Sequence, residues 1–274
     1  MDSTQSNKGQ MRKLTVVSVC FLASLIGAAL IPTSVVTDRS TPPAMPIPSP
    51  AIEYQYTASL QDRLAQIDDV QERKQSLIRI LLPLVLHANE RVLQQRMIIE
   101  QLRQRLPYLT PLEKQTLITF ARMYLVEGVT SEEMVAELLK RVNVLPVSLI
   151  LAQAAIESGW GTSRFSLKGN NIFGLRNSSG YGMVPRERPS EEEFTVSVFR
   201  DLQSCIDYYM WNINTNPQYE QLRYTRSLSE APYDSYALAQ GLRNYSEMGI
   251  EYVRRVELLI GYNSLKNYDD YRLQ

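Results

Sequence analysis

The chain has 274 residues but a single histidine, His87, and two cysteines, Cys20 and Cys205. That scarcity excludes a Cys/His metal cluster and leaves too little material for a Ser-His or Cys-His triad, so neither a metal nor a cofactor is expected. Excess charge is missing too, since Lys+Arg and Asp+Glu both number 29. A balanced chain gives no electrostatic basis for nucleic acid as a partner. Glycine is sparse at 12 residues, yet four of the twelve stand at 159, 161, 169 and 174. Whatever chemistry the chain performs must therefore rest on carboxylates, amides, tyrosines or lysines. What the chain does have is a 44% hydrophobic content, enough to bury a core in one large domain or two small ones.

Residues 14–31, "LTVVSVCFLASLIGAALI", form an uncharged apolar run preceded by Arg12 and Lys13. Its length lies between that of a signal-peptide apolar region and that of a spanning helix, so a cleaved signal and an uncleaved anchor both fit; the anchor is favoured. In either case the positive flank stays in the cytoplasm and the rest is exported. Cys20 lies inside this run, which leaves Cys205 without an intrachain partner and expected as a small buried hydrophobe. Residues 32–50 hold six of the 14 prolines and read as an extended spacer.

Residues 51–142 read as a helical region. Pro83 marks a helix start or kink within it, and His87, among Leu and Val, reads as a packed or surface helix residue rather than a ligand. Thr110 with Glu113 and Thr130 with Glu133 have the spacing of capping boxes, which places two helix starts. Pro146 can open the helix "PVSLILAQAAIES", and Gly159 can end it in the left-handed conformation. Gly and Pro punctuation followed by the alternation Phe194, Val196, Val198 predicts a small β-hairpin within 177–199. Helical patterns then return to the end of the chain. The fold class is mainly α with one short β insertion.

The stretch "AQAAIESGWGTSRFSLKGNNIFGLR", 152–176, concentrates the chemistry. Glu157 falls in the last turn of its helix, where the backbone dipole is negative and an anion is disfavoured. Shielding by Ile156, Trp160 or Phe173 would raise its pKa further, which suits a general acid near neutral pH. The glycines clear space beside it, and Asn170 and Asn171 offer amide groups to a polar substrate. The same features also fit a solvated glutamate beside an ordinary glycine cap, with Trp160 and Phe173 as core residues.

This stretch resembles the signature of the bacterial glucosaminidase family, glycoside hydrolase family 73, in which an A-x-E-S-G-W-G helix end is followed by an N-N-x-F-G turn. "FRDLQSCIDYYMWNINTNPQY" and "LAQGLRNYSEMGIEYV" are similar to the family's later segments, so the resemblance covers about residues 145–262. It implies a lysozyme-like helical domain over 143–274 with a β-hairpin lobe, and hydrolysis of the β-1,4 bond after N-acetylglucosamine in peptidoglycan. The substrate partner would be peptidoglycan glycan strands, reached from the periplasm by a protein held at the inner membrane through residues 14–31. Glu157 falls on the family's general acid and Tyr245 on a tyrosine that lines the cleft. Asn171, Phe173 and Gly174 fall on the turn that shapes the cleft, and Ser158, Trp160 and Asn170 are grouped with them as substrate-binding. Glycoside hydrolysis ordinarily uses a second carboxyl group, for which the β-lobe offers Glu187, Glu191, Glu192 and Glu193; Glu187 is the weak choice, and attack by the substrate's own acetamide is the other route. A lytic transglycosylase and a non-catalytic wall-binding protein are the alternatives on the same fold.

Overall fold

The computed structural model describes residues 51–55, 60, 64, 66–177, 182–186 and 194–274. They belong to one compact unit, residues 44–274. The apolar run 14–31, the spacer 32–50, Glu187 and Glu191 to Glu193 lie outside the described residues. Among the described residues no helix is long and apolar enough to cross a membrane, and no group of three or more His, Cys, Asp or Glu side chains could hold a metal ion.

The molecule is mainly helical. Helix α1, Val70–Gln104, is 35 residues long and opens on Asp69, whose carboxylate accepts the Glu72 N–H at 2.7 Å. Pro83 sits buried inside α1 and does not start a helix; its neighbours Leu81, Leu82, Leu84 and Val85 are buried with it, and that burial offsets the missing backbone donor. Helices α2, Pro111–Met123, and α3, Ser131–Arg141, start at the capping boxes expected of Thr110 with Glu113 and Thr130 with Glu133. His87 is a half-buried residue of α1 whose ring lies 4.6 Å from that of Tyr54.

Helix α4, Val147–Ser158, runs through the middle of the core and packs on α1, on α9 (Ile250–Tyr262) and on the 3-10 turn Leu265–Tyr268. Contact on so many sides explains why its sequence is apolar nearly all round instead of along one stripe. Its approach is pinned. The buried guanidinium of Arg226 donates to the carbonyls of Lys140, Arg141, Asn143 and Val144, and Asn89 exchanges hydrogen bonds with the backbone of Leu145. Burial pulls the pKa of Arg226 down to about 9.

The remaining helices are α5, Arg164–Gly169, α6, Leu202–Thr215, α7, Glu220–Ser227, and α8, Ser235–Ala239. Cys205 on α6 is fully buried and unpaired, and burial pushes its thiol pKa up to about 12. The expected β-hairpin is present in reduced form: β2, Arg176–Asn177, pairs antiparallel with β3, Thr195–Val196, and Met183 forms a bridge to Val196. A second pairing has no local signal in the sequence. The strand β1, Ala51–Ile52, runs parallel to β4, Arg272–Leu273.

Candidate active site

The last turn of α4 ends as its sequence dictates. Gly159 takes the left-handed conformation at φ +57°, and the Trp160 N–H reaches back to the Ala155 carbonyl at 2.8 Å. Left-handed backbone then continues through Trp160, φ +56°, and Gly161, φ +80°. A bulky side chain at positive φ is strained, so Trp160 held left-handed between two left-handed glycines marks a turn whose shape the surroundings enforce. At Gly161 the reason is close approach: a Cβ would stand 2.5 Å from the Leu64 Cδ1. Ser158 closes the turn from inside, its buried hydroxyl accepting the Gly161 N–H at 2.8 Å and donating to the Ala154 carbonyl at 2.5 Å.

Glu157 is thereby held partly buried at the negative end of α4. Burial raises its pKa above the ordinary glutamate value, opposed only by a hydrogen bond from the Tyr252 hydroxyl. No Lys, Arg, Asp or Glu among the described residues contributes to that shift. Its surroundings are instead phenolic: Tyr209 on α6, Tyr219 after it, Tyr245 ahead of α9 and Tyr252 on α9 all feel the Glu157 charge. Burial leads in raising each of these phenol pKa values, Tyr219 to about 12, so the ring is made of neutral hydroxyls. Tyr245 and Tyr252 stack with centroids 5.3 Å apart. Such a site can hold a carboxylic acid protonated and present it to an oxygen that needs a proton.

Access comes from Gly174, at φ +64°, where a Cβ would stand 3.3 Å from Glu157 Oε2. The turn carrying Gly174 is fixed by the residues singled out as substrate-binding. The Asn171 side chain is buried and clamps the turn, donating to the Leu175 and Ser197 carbonyls at 2.9 Å each and accepting the Leu175 N–H at 3.0 Å. Phe173 is buried and stacks on Tyr209 at 3.9 Å. Its carbonyl accepts the Tyr245 hydroxyl at 2.8 Å. Asn170 caps α5 in the left-handed conformation and donates to the Phe199 carbonyl at 3.1 Å.

The expected residues therefore separate by placement. Glu157, Tyr245, Phe173 and Gly174 come together. Ser158, Asn171 and the Phe173 ring are packed inside, where they shape the two turns. Trp160 is half-buried and turned towards α1, with Lys74 Nζ 5.0 Å above its ring. Tyr209, Tyr219, Tyr252 and Gln153 were not singled out from the sequence. The signal for Gln153 was its position one helical turn before Glu157 on the same face. The tyrosines come from three other elements and had no such signal.

Residues 132–264 match the glucosaminidase family, described as mannosyl-glycoprotein endo-beta-N-acetylglucosaminidase. The chain is 29% identical over 187 residues to Protein bax of Escherichia coli strain K12, a match that covers 66% of each chain. It is also similar, at 15% identity and a TM-score of 0.43, to the crystal structure of the catalytic domain of the autolysin Auto from Listeria monocytogenes, covering 76% of this chain and 94% of that one. Glu157, Tyr245 and Tyr252 all lie within the segment that matches the glucosaminidase family.

Proposed function

We propose that the protein is a peptidoglycan hydrolase that cleaves the β-1,4 bond after N-acetylglucosamine, with Glu157 as the general acid. The observation that carries the reading is the partly buried carboxylate at the C-terminal end of α4, surrounded by neutral phenols and faced by a glycine. A protonated Glu157 would donate to the glycosidic oxygen as the bond to the anomeric carbon breaks, and the positive charge would build on the sugar ring. Tyr245, whose hydroxyl ties the Phe173 carbonyl, would act mainly by holding the Gly174 turn over the acid.

The oxocarbenium-like carbon must then be met by a carboxylate, a water or the 2-acetamido oxygen of the substrate. Glu187 is proposed for a secondary role at most, on the resemblance alone. Residues 143–274 are proposed as the catalytic domain and residues 51–142 as its support, with α1 backing the catalytic turn. Export to the periplasm and retention at the inner membrane through residues 14–31 belong to the same proposal.

The test is mass spectrometry of products released from purified peptidoglycan, after borohydride reduction, by the protein and by its Glu157→Gln variant. Fragments ending in reduced N-acetylglucosamine, absent with the variant, are expected. Anhydro-muramyl ends would make the protein a lytic transglycosylase, and the absence of products from the unmutated protein would favour a binding role.

A further inference from the structure

A buried hydrogen-bonded chain runs from Tyr209 on α6 through Gln153 on α4 to Tyr252 on α9, next to the acid. The Tyr209 hydroxyl donates to Gln153 Oε1, and Gln153 Nε2 donates to the Tyr252 hydroxyl oxygen at 3.0 Å; Gln153 stands one helical turn before Glu157 on α4, and the Tyr252 hydroxyl that it holds acts on the Glu157 carboxyl. Tyr209 and Gln153 are fully buried and Tyr252 is 2% exposed. We infer that Tyr209 and Gln153 are positioning residues that orient the Tyr252 hydroxyl proton onto Glu157 by fixing which end of the Gln153 amide faces which tyrosine. The inference rests on the proposed role of Glu157 and adds a means by which the fold sets its proton affinity.

The physical argument is one of donors and acceptors. A glutamine amide accepts at its oxygen and donates at its nitrogen, and the two ends are nearly equal in shape. In the observed orientation the nitrogen occupies a lone pair of Tyr252, whose own proton is then free for Glu157. That hydrogen bond favours the carboxylate and moderates the rise in pKa that burial imposes. In the reverse orientation the amide oxygen would take the Tyr252 proton, and Tyr252 could only accept from a protonated Glu157. The reverse is prevented at the far end. Tyr209 lies stacked on Phe173 with no exposed surface, and facing an NH2 group its hydroxyl proton would be stranded in the core. Thus Tyr209, which does not touch Glu157 through a hydrogen bond, selects the state of a hydroxyl that does. Among the described residues, the groups that face Glu157 from its neighbours are Tyr209, Tyr219, Tyr245 and Tyr252, and burial keeps all four neutral.

The experiment is the pH profile of kcat/KM on peptidoglycan for the full chain and for Tyr209→Phe, Tyr252→Phe and the double variant, with Glu157 also titrated directly by 13C-carboxyl NMR, assigned by its absence in Glu157→Gln. Both single variants should move the alkaline limb and the Glu157 titration up by about one pH unit, the scale of one lost hydrogen bond to a charged group. The double variant should move them no further than Tyr252→Phe alone, because Tyr209 acts only through Tyr252. Unmoved titration in either single variant, or shifts that add in the double, would overturn the inference. Should Tyr209→Phe fail to fold, Tyr252→Phe still tests the last link: an unmoved Glu157 titration in it overturns the inference, and a rise of about one unit supports it. Failure of the functional reading shows separately, as full hydrolysis by Glu157→Gln, since the NMR titration does not depend on turnover.

Discussion

A partly buried acid lies at each end of helix α4, and the two are held differently. At the N-terminal end Asp269 reaches in from the 3-10 turn, accepting the Ser148 N–H at 2.8 Å and its hydroxyl at 2.9 Å. The carboxylate faces the positive end of the helix and supplies the cap that Pro146 lacks. At the C-terminal end Glu157 sits at the negative end of the helix dipole, and among the described residues only the Tyr252 hydroxyl lowers its pKa. Burial raises the pKa of both, but around Asp269 the two bonds from Ser148 and the charge of Lys266 oppose the rise. Burial thus favours the protonated form of both, but one carboxylate is tied to the helix N-terminus by two bonds from Ser148 while the other is left to a phenol.

The contrast can be broken at either end. Glu157→Gln should have the largest effect, lowering hydrolysis by about 10²–10⁴-fold in a turnover assay, since it removes the transferable proton and keeps the shape. Next comes the turn behind it. Gly161→Ala puts a Cβ against Leu64 at a positive φ and should cost about 2–3 kcal/mol in denaturant unfolding, with Leu64→Ala in the same chain recovering part of the loss by making room. At the opposite end, Asp269→Ala should cost about 1–2 kcal/mol and Asp269→Asn less, because asparagine still accepts the Ser148 N–H.

The smallest effect sharpens the contrast instead of breaking it. A carboxyl whose folded pKa lies above its unfolded value binds more protons in the folded state, so stability falls as pH rises from about 4.5 through the folded pKa. Glu157→Gln should therefore melt at a higher temperature than the unmutated protein at pH 7, and the gain should vanish below pH 4.5. An equal gain at every pH would mean that the carboxylate is not strained where it sits.

What the sequence disclosed and what it withheld divide along the same lines. Both capping boxes, the start of α4 near Pro146 and the left-handed Gly159 were legible, because each depends on residues within one turn of each other. Glu157 was legible as an acid at an unfavourable helix end. Its phenolic surroundings were not, since Tyr209, Tyr219 and Tyr252 arrive through tertiary packing, and neither was the cap from Asp269, which lies 121 residues beyond Ser148. Ser158, Asn171 and Phe173 show a subtler gap. The motif marks them as site residues, yet their polar atoms and rings are spent inside the turns, so the pattern G-W-G and N-N-x-F-G specifies a backbone path more than a set of contacts. Pro83 was read as a helix start or kink because proline interrupts helical hydrogen bonding; the helix does not start there, and the buried leucines on both sides carry it through.

The parallel pairing of Ala51–Ile52 with Arg272–Leu273 has an engineering consequence. The Gln274 N–H bonds the Ile52 carbonyl at 3.0 Å, so the first and last described residues of the helical body lie side by side. A short loop could join them, and the body could be reopened elsewhere as a circular permutant.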